Sequence, residues 1–163
     1  MDEKQIRKDR LRYTKNSLSS GLALLAILFN VFYFVNIYKS DVENYYYSYI
    51  IGISIIYNLL FMLFGFLCSE GVKRYHFGYA VTLIVIGGIQ FVRMFIIPRM
   101  ASSAVVTLDG VETIVMGSAQ HTRVIVYLAI SGGLCIAAGI VGIIRSRQLA
   151  SYEAELAATR AGL

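Results

Sequence analysis

Four apolar stretches separated by short polar segments organise the chain, and each is close to the ~20 residues that a helix needs to cross a bilayer. The pattern predicts transmembrane helices over 18–38, 48–68, 77–97 and 124–144. The fold class that follows is an all-α integral membrane protein, a four-transmembrane-helix bundle. The segments between and around the spans have characters of their own. Residues 1–17 are dense in Lys and Arg, and Ile6, Leu11 and Tyr13 give a weak apolar stripe that suits a short interfacial helix. The first apolar block is longer than a signal-peptide core, and no small-residue cleavage site follows it, so it reads as a retained helix. Pro98, the only proline, is expected to end the third helix.

Residues 98–123 form the longest connection, and its stretch 104–116, AVVTLDGVETIVM, sets Asp109-Gly110 between two β-branched runs. Asp-Gly suits the positive φ angles of a type I′ turn, so a small outer β-hairpin is predicted there, with an irregular loop as the alternative. Two strands alone are marginal in water, which places the hairpin on the bundle mouth or on a partner. Residues 145–163 carry Leu149, Tyr152 and Leu156 on one face and read as a helical tail that extends the fourth span.

Composition agrees with the pattern, because 57% of residues are hydrophobic, 15% are charged and the mean hydropathy is +0.63. Soluble domains are rarely so apolar. The net charge of +5 and pI near 9.3 do not point to nucleic acid, since the basic residues flank the spans. That placement fits anionic lipid at the cytoplasmic face. Eleven of the 15 Lys and Arg residues fall on one side of the four-span topology, which puts both termini in the cytoplasm. The outer face then receives the link with Tyr45, Tyr46, Tyr47 and Tyr49, whose side chains suit an aromatic belt. A bacterial cytoplasmic membrane is the expected location, from the short loops and from the lack of a glycosylation sequon or targeting peptide.

The candidate chemistry lies inside the spans. Counting inward at a rise of about 1.5 Å per residue puts Asn30, Asn58 and Gln90 roughly 10–15 Å below the outer ends, and Ser131 enters the same layer. Such a layer has two readings: amides that fix the register of the bundle, or a site for a small polar solute. Arg93 is the one cation well inside an apolar run, which normally requires protein, water or a counter-charge around it. It is expected to act as an outer clamp, pairing with Asp41, Glu43, Asp109 or Glu112. Gly132, Cys135, Gly139 and Gly142 follow one another at steps of three, four and three, a small-residue face for internal helix packing or for self-association.

Enzyme chemistry finds no foothold. P-loop, zincin helix, nucleophile elbow and dinucleotide fingerprint are all missing, and no span holds an acid or His beside its serines. Cys68 and Cys135 lack metal spacing, His76 and His121 fall on opposite sides, and no metal or cofactor is expected. In span number the chain resembles the small four-helix multidrug exporters, a family that depends on a membrane-embedded glutamate in its first helix. The first span here, LALLAILFNVFYFVNIY, contains no acid, so the resemblance does not imply proton-coupled export. The expectation is a non-catalytic small multipass membrane protein, an accessory or assembly subunit of a membrane complex. The alternative is a homo-oligomeric small-solute transporter or channel.

Overall fold

The computed structural model describes residues 6, 13–37, 45–103, 105–108, 111–114 and 116–161. Most of the basic N-terminal segment, the acidic link with Asp41 and Glu43, and the Asp109-Gly110 turn lie outside the described residues. Four helices, α1 (Ser17–Ile37), α2 (Tyr45–Lys73), α3 (Phe77–Ser103) and α4 (Ser118–Ala161), are each long and apolar enough to cross a membrane. They run up and down around a ring in which α1 packs on α2, α2 on α3, α3 on α4 and α4 on α1. Between α3 and α4, two four-residue strands, β1 (Val105–Leu108) and β2 (Val111–Ile114), pair antiparallel with Val105 opposite Ile114.

The distribution of side chains is that of a membrane bundle. Small and polar residues of α1, among them Ser19, Ser20, Ala23, Ala26 and Asn30, point inward. Leu24, Leu25, Leu28 and Phe32 face out. A contiguous apolar exterior of this kind is stable only against lipid or another protein. Inside, one apolar cluster gathers Ala23, Ile27, Phe61, Val72, Leu83 and Ala138. A second gathers Tyr33, Ile37, Ala101, Met116, Val124 and Leu128 toward the β-strand end.

α4 is the spine of the bundle because its small residues let two neighbours approach closely. A Cβ on Gly139 would stand 2.6 Å from the Ala80 carbonyl oxygen, and one on Gly132 would stand 3.1 Å from the Gly87 carbonyl oxygen. Gly142 lies against Ala80 and Ser19, while Cys135 sits at Gly87. Gly132, Cys135, Gly139 and Gly142 are all buried within the one chain, so their shared face is committed to internal packing. Side-chain hydroxyls add to this seam: Ser19 Oγ donates to the Ala138 carbonyl at 2.6 Å, and Ser131 Oγ to the Ala26 carbonyl at 2.8 Å.

Pro98 does not end its helix as the pattern-based reading expects, while the tail extends the fourth span as expected. α3 does not stop at Pro98 but continues to Ser103, with Pro98 buried inside it. Proline removes one backbone hydrogen bond, yet a membrane helix tolerates it where neighbouring helices and local adjustment satisfy the freed carbonyl. α4 spans 44 residues as one helix, and the tail from Arg145 to Ala161 is its direct continuation. At 1.5 Å per residue that is about 66 Å, twice the ~30 Å hydrocarbon layer.

At the end of the bundle away from the strands, a polar knot joins three helices. Asn16 N–H donates to the Lys73 carbonyl at 3.0 Å, and Asn16 Oδ1 accepts from Ser19 N–H at 3.4 Å and from Arg145 Nη1 at 3.1 Å. Asn16 thus caps α1, ties it to the last turn of α2 and holds α4. The α2–α3 turn closes with His76 N–H on Gly71 O and Tyr75 N–H on Val72 O, both at 3.1 Å. This is a Schellman motif, and its left-handed residue is Tyr75, at φ 61°. Ser146 Oγ fixes that turn by donating to the Tyr75 carbonyl at 2.7 Å.

The seam supplies a paired test. Gly139→Ala should lower the melting temperature in detergent, because overpacking costs about 1–3 kcal/mol and outweighs the better helix propensity of alanine, worth about 1 kcal/mol at most. Gly133→Ala, whose Cβ meets nothing within 4 Å, should melt at or above wild type. Equal behaviour of the two variants would contradict the assignment of the α3–α4 contact.

Candidate functional site

Between the two apolar clusters lies a single polar stratum, contributed one turn at a time by different helices. α3 presents Gln90 and Arg93, three residues apart and hence on one face. α2 presents Ser54 and Asn58, four apart, and α1 presents Asn30 and Tyr33, three apart. All six are buried, Arg93 at 7% exposure and the three amides at 0%.

Arg93 is the hub. Its Nη1 donates to Asn58 Oδ1 at 2.8 Å and more weakly to Gln90 Oε1 at 3.4 Å, while Nη2 donates to Ser54 Oγ at 2.9 Å. The guanidinium carbon stands 4.4 Å from the Tyr33 ring centroid and 4.7 Å from that of Tyr57. A cation over an aromatic face gains about 2 kcal/mol or more when desolvated, so two rings answer a substantial part of the ~2.5–3.5 kcal/mol insertion cost of an arginine. Gln90 then passes the network on, donating from Nε2 to Asn30 Oδ1 at 3.1 Å. Three donor–acceptor pairs therefore cross-link α1, α2 and α3 at one level, and the Arg93–Gln90 pair joins them within α3.

The amides Asn30, Asn58 and Gln90 are brought together as their depth implied. Ser131 reaches the level but not the network, because its hydroxyl is spent on the Ala26 carbonyl of α1. The outer-clamp expectation for Arg93 falls largely outside the described residues, where three of its four candidate acids lie. Helical side chains lean toward the N-terminus, and Arg93 follows this lean back over Gln90 into the bundle. Among the described residues no carboxylate pairs with it: Glu112 is exposed on β2, while Asp41, Glu43 and Asp109 lie outside that set. Ser54, Tyr33 and Tyr57 are partners of Arg93 that pattern reading missed. The available signal was their helical spacing from Asn58 and Asn30.

Three charged or amide donors in this stratum have no acceptor: Arg93 Nε, Asn30 Nδ2 and Asn58 Nδ2. Beside Arg93 a cleft of about 210 Å³ opens between α2 and α3. Ser54, Tyr57 and Arg93 form its floor, and Ile53, Ile89, Val92 and Ile96 its walls. Those four wall residues are between 43% and 66% exposed on the bundle's flank, so the cleft opens sideways and not along the bundle axis. No group of three His, Cys, Asp or Glu able to hold a metal occurs among the described residues. Comparison of the chain with protein-family models, curated proteins and solved structures finds no match.

The geometry ranks the polar bonds. Asn58→Leu removes a close acceptor from a buried cation and should cost about 1.5–3 kcal/mol, the range for bonds to charged groups. Asn30→Leu touches only a neutral amide pair and should cost about 0.6 kcal/mol, the average for polar contacts between membrane helices. Reversible unfolding in mixed micelles measures both. A larger loss at Asn30 than at Asn58 would contradict the placement of Arg93 at the hub.

Proposed function

We propose that this protein is a non-catalytic multipass membrane protein that serves as an accessory or assembly subunit of a membrane complex. The observation that carries the reading is Arg93, a cation buried in the bundle whose partners among the described residues are all neutral and which borders a cleft on the lipid-facing flank. Buried membrane cations pair with counter-charges or mark functional contacts. Here the counter-charge is to come from outside the chain, laterally, through the membrane.

Orientation belongs to the same proposal. Lys73, Arg74, Arg145 and Arg147 lie near the Asn16 knot, at the end of the bundle where α4 projects beyond the apolar core. With that end in the cytoplasm, basic side chains meet anionic lipid and the α4 tail offers a soluble surface, while the paired strands and Tyr49 face outward. The bacterial cytoplasmic membrane is the proposed location.

A second reading, a homo-oligomeric small-solute transporter or channel, draws on the acceptorless N–H groups of Asn30 and Asn58. Against it stand the two apolar clusters that close the polar stratum above and below. Native purification in gentle detergent should recover a second membrane protein in fixed ratio with this chain. Recovery of this chain alone, together with solute flux through the purified protein in liposomes, would replace the accessory reading with the transporter.

A further inference from the structure

The cleft between α2 and α3 combines three properties that narrow what can fill it. Its walls are aliphatic, and on α3 they form a ridge at Ile89, Val92 and Ile96, the spacing that presents one helix face to another. Its floor holds Arg93, nine-tenths buried, whose Nε–H has no acceptor. Nη2 donates one hydrogen to Ser54 and carries a second. In a guanidinium, Nε–H together with a neighbouring Nη–H is the side-on fork that matches the two oxygens of a carboxylate.

We propose that this cleft docks a transmembrane helix of another protein that carries an Asp or Glu at the depth of Arg93. The proposal rests on the accessory reading above and supplies the chemistry of the partner. The occupant is a helix because depth must be imposed. A free fatty carboxylate relaxes to the headgroup layer, where water solvates it, whereas a side chain on a spanning helix is held where the backbone puts it. There, two desolvated charges relieve one another. A second copy of this chain does not fit, because its apolar spans hold no Asp or Glu away from Glu70 near the end of α2. Nor is the small-residue face of α4 available, since it is buried against α3 and α1.

The helix also has room to enter. α2 packs Gly65 on Ile27 and Gly71 on Tyr79 but has no continuous glycine seam like that of α4, and the α2–α3 contact is the least extensive between ring neighbours. Tyr57 sits on the boundary, stacked on Arg93 from one side and lining the cleft from the other. Arg93 Nε is itself covered, so docking requires the Tyr57 ring to shift and uncover the guanidinium edge.

The test uses the full chain in liposomes with a labelled synthetic Leu/Ala helix of about 22 residues bearing one Asp a third of the way from its outer end. Matched peptides carry Asn or Leu at that position, and energy transfer reports association. The Asp peptide should bind at least about tenfold more tightly than the Leu peptide. Arg93→Gln should abolish the preference, and so should Asn58→Asp, which supplies a carboxylate from within the chain. Asn58→Asp is expected to keep the wild-type melting behaviour or improve on it, so it decides the matter where Arg93→Gln folds poorly. Equal binding of the three peptides, a preference that survives in Asn58→Asp, or displacement of the Asp peptide by oleate at lower concentration than by the unlabelled peptide would overturn the proposal. A native partner retained equally by wild type and Arg93→Gln would remove the acidic helix and leave the accessory reading intact. Absence of any native partner removes the accessory reading itself.

Discussion

A guanidinium inside a bilayer must be solvated by protein, and in this bundle that requirement organises the middle of the structure. Among the described residues the solvation shell consists of two amide oxygens, a serine hydroxyl and two tyrosine faces. These come from three helices, so satisfying one cation fixes the rotation of α1, α2 and α3 about their own axes. Apolar packing alone would do this poorly, because lipid tails are as apolar as the side chains they would replace. The shell is nevertheless incomplete: Nε–H remains without an acceptor. An unsatisfied donor on a buried charge costs about 1–3 kcal/mol or more, and that deficit is what gives the flank of α2 and α3 its chemical interest.

The rest of the bundle divides the work. The glycine-rich face of α4 brings α3 and α1 to close contact and supplies rigidity, with Ser19 and Ser131 hydroxyls bonded across it. The Asn16 knot closes the opposite end, where a capping residue, a helix C-terminus and Arg145 meet. Between these two firm regions α2 is held mainly at the polar stratum and through Ser20–Ser69, a hydroxyl pair 2.8 Å apart. Phe61, Cys68 and Val72 also root it in the apolar core, and its outer face carries exposed Ile, Leu and Phe.

Much of this was legible in the sequence, and the gaps have physical causes. Hydropathy gives span number because every backbone group in lipid must bond within its own segment, and the four spans emerge near their expected places. Depth follows from the helix rise, which is why Asn30, Asn58 and Gln90 meet. Azimuth does not: Ser131 sits at the right level, yet it faces the Ala26 carbonyl. Arg93 illustrates the same limit, since its position near Pro98 suggested the outer loops while its rotamer carries it inward. Pro98 itself misled, because a rule drawn from helices in water overstates the penalty inside a bundle. Ser54, Tyr33 and Tyr57 were invisible as single residues, serine and tyrosine being ordinary in spans. They gain meaning only as a turn-spaced set around an arginine.

The central claim is that Arg93 is charged, shielded from water and held by neutral groups in the isolated protein. Hydrogen exchange at the arginine Nε–H groups, followed by NMR on ¹⁵N-arginine-labelled protein in nanodiscs, tests it most directly. The account predicts one signal, missing in Arg93→Gln, that exchanges far more slowly than every other arginine and speeds up in Asn58→Leu. Fast exchange at all arginines would contradict it.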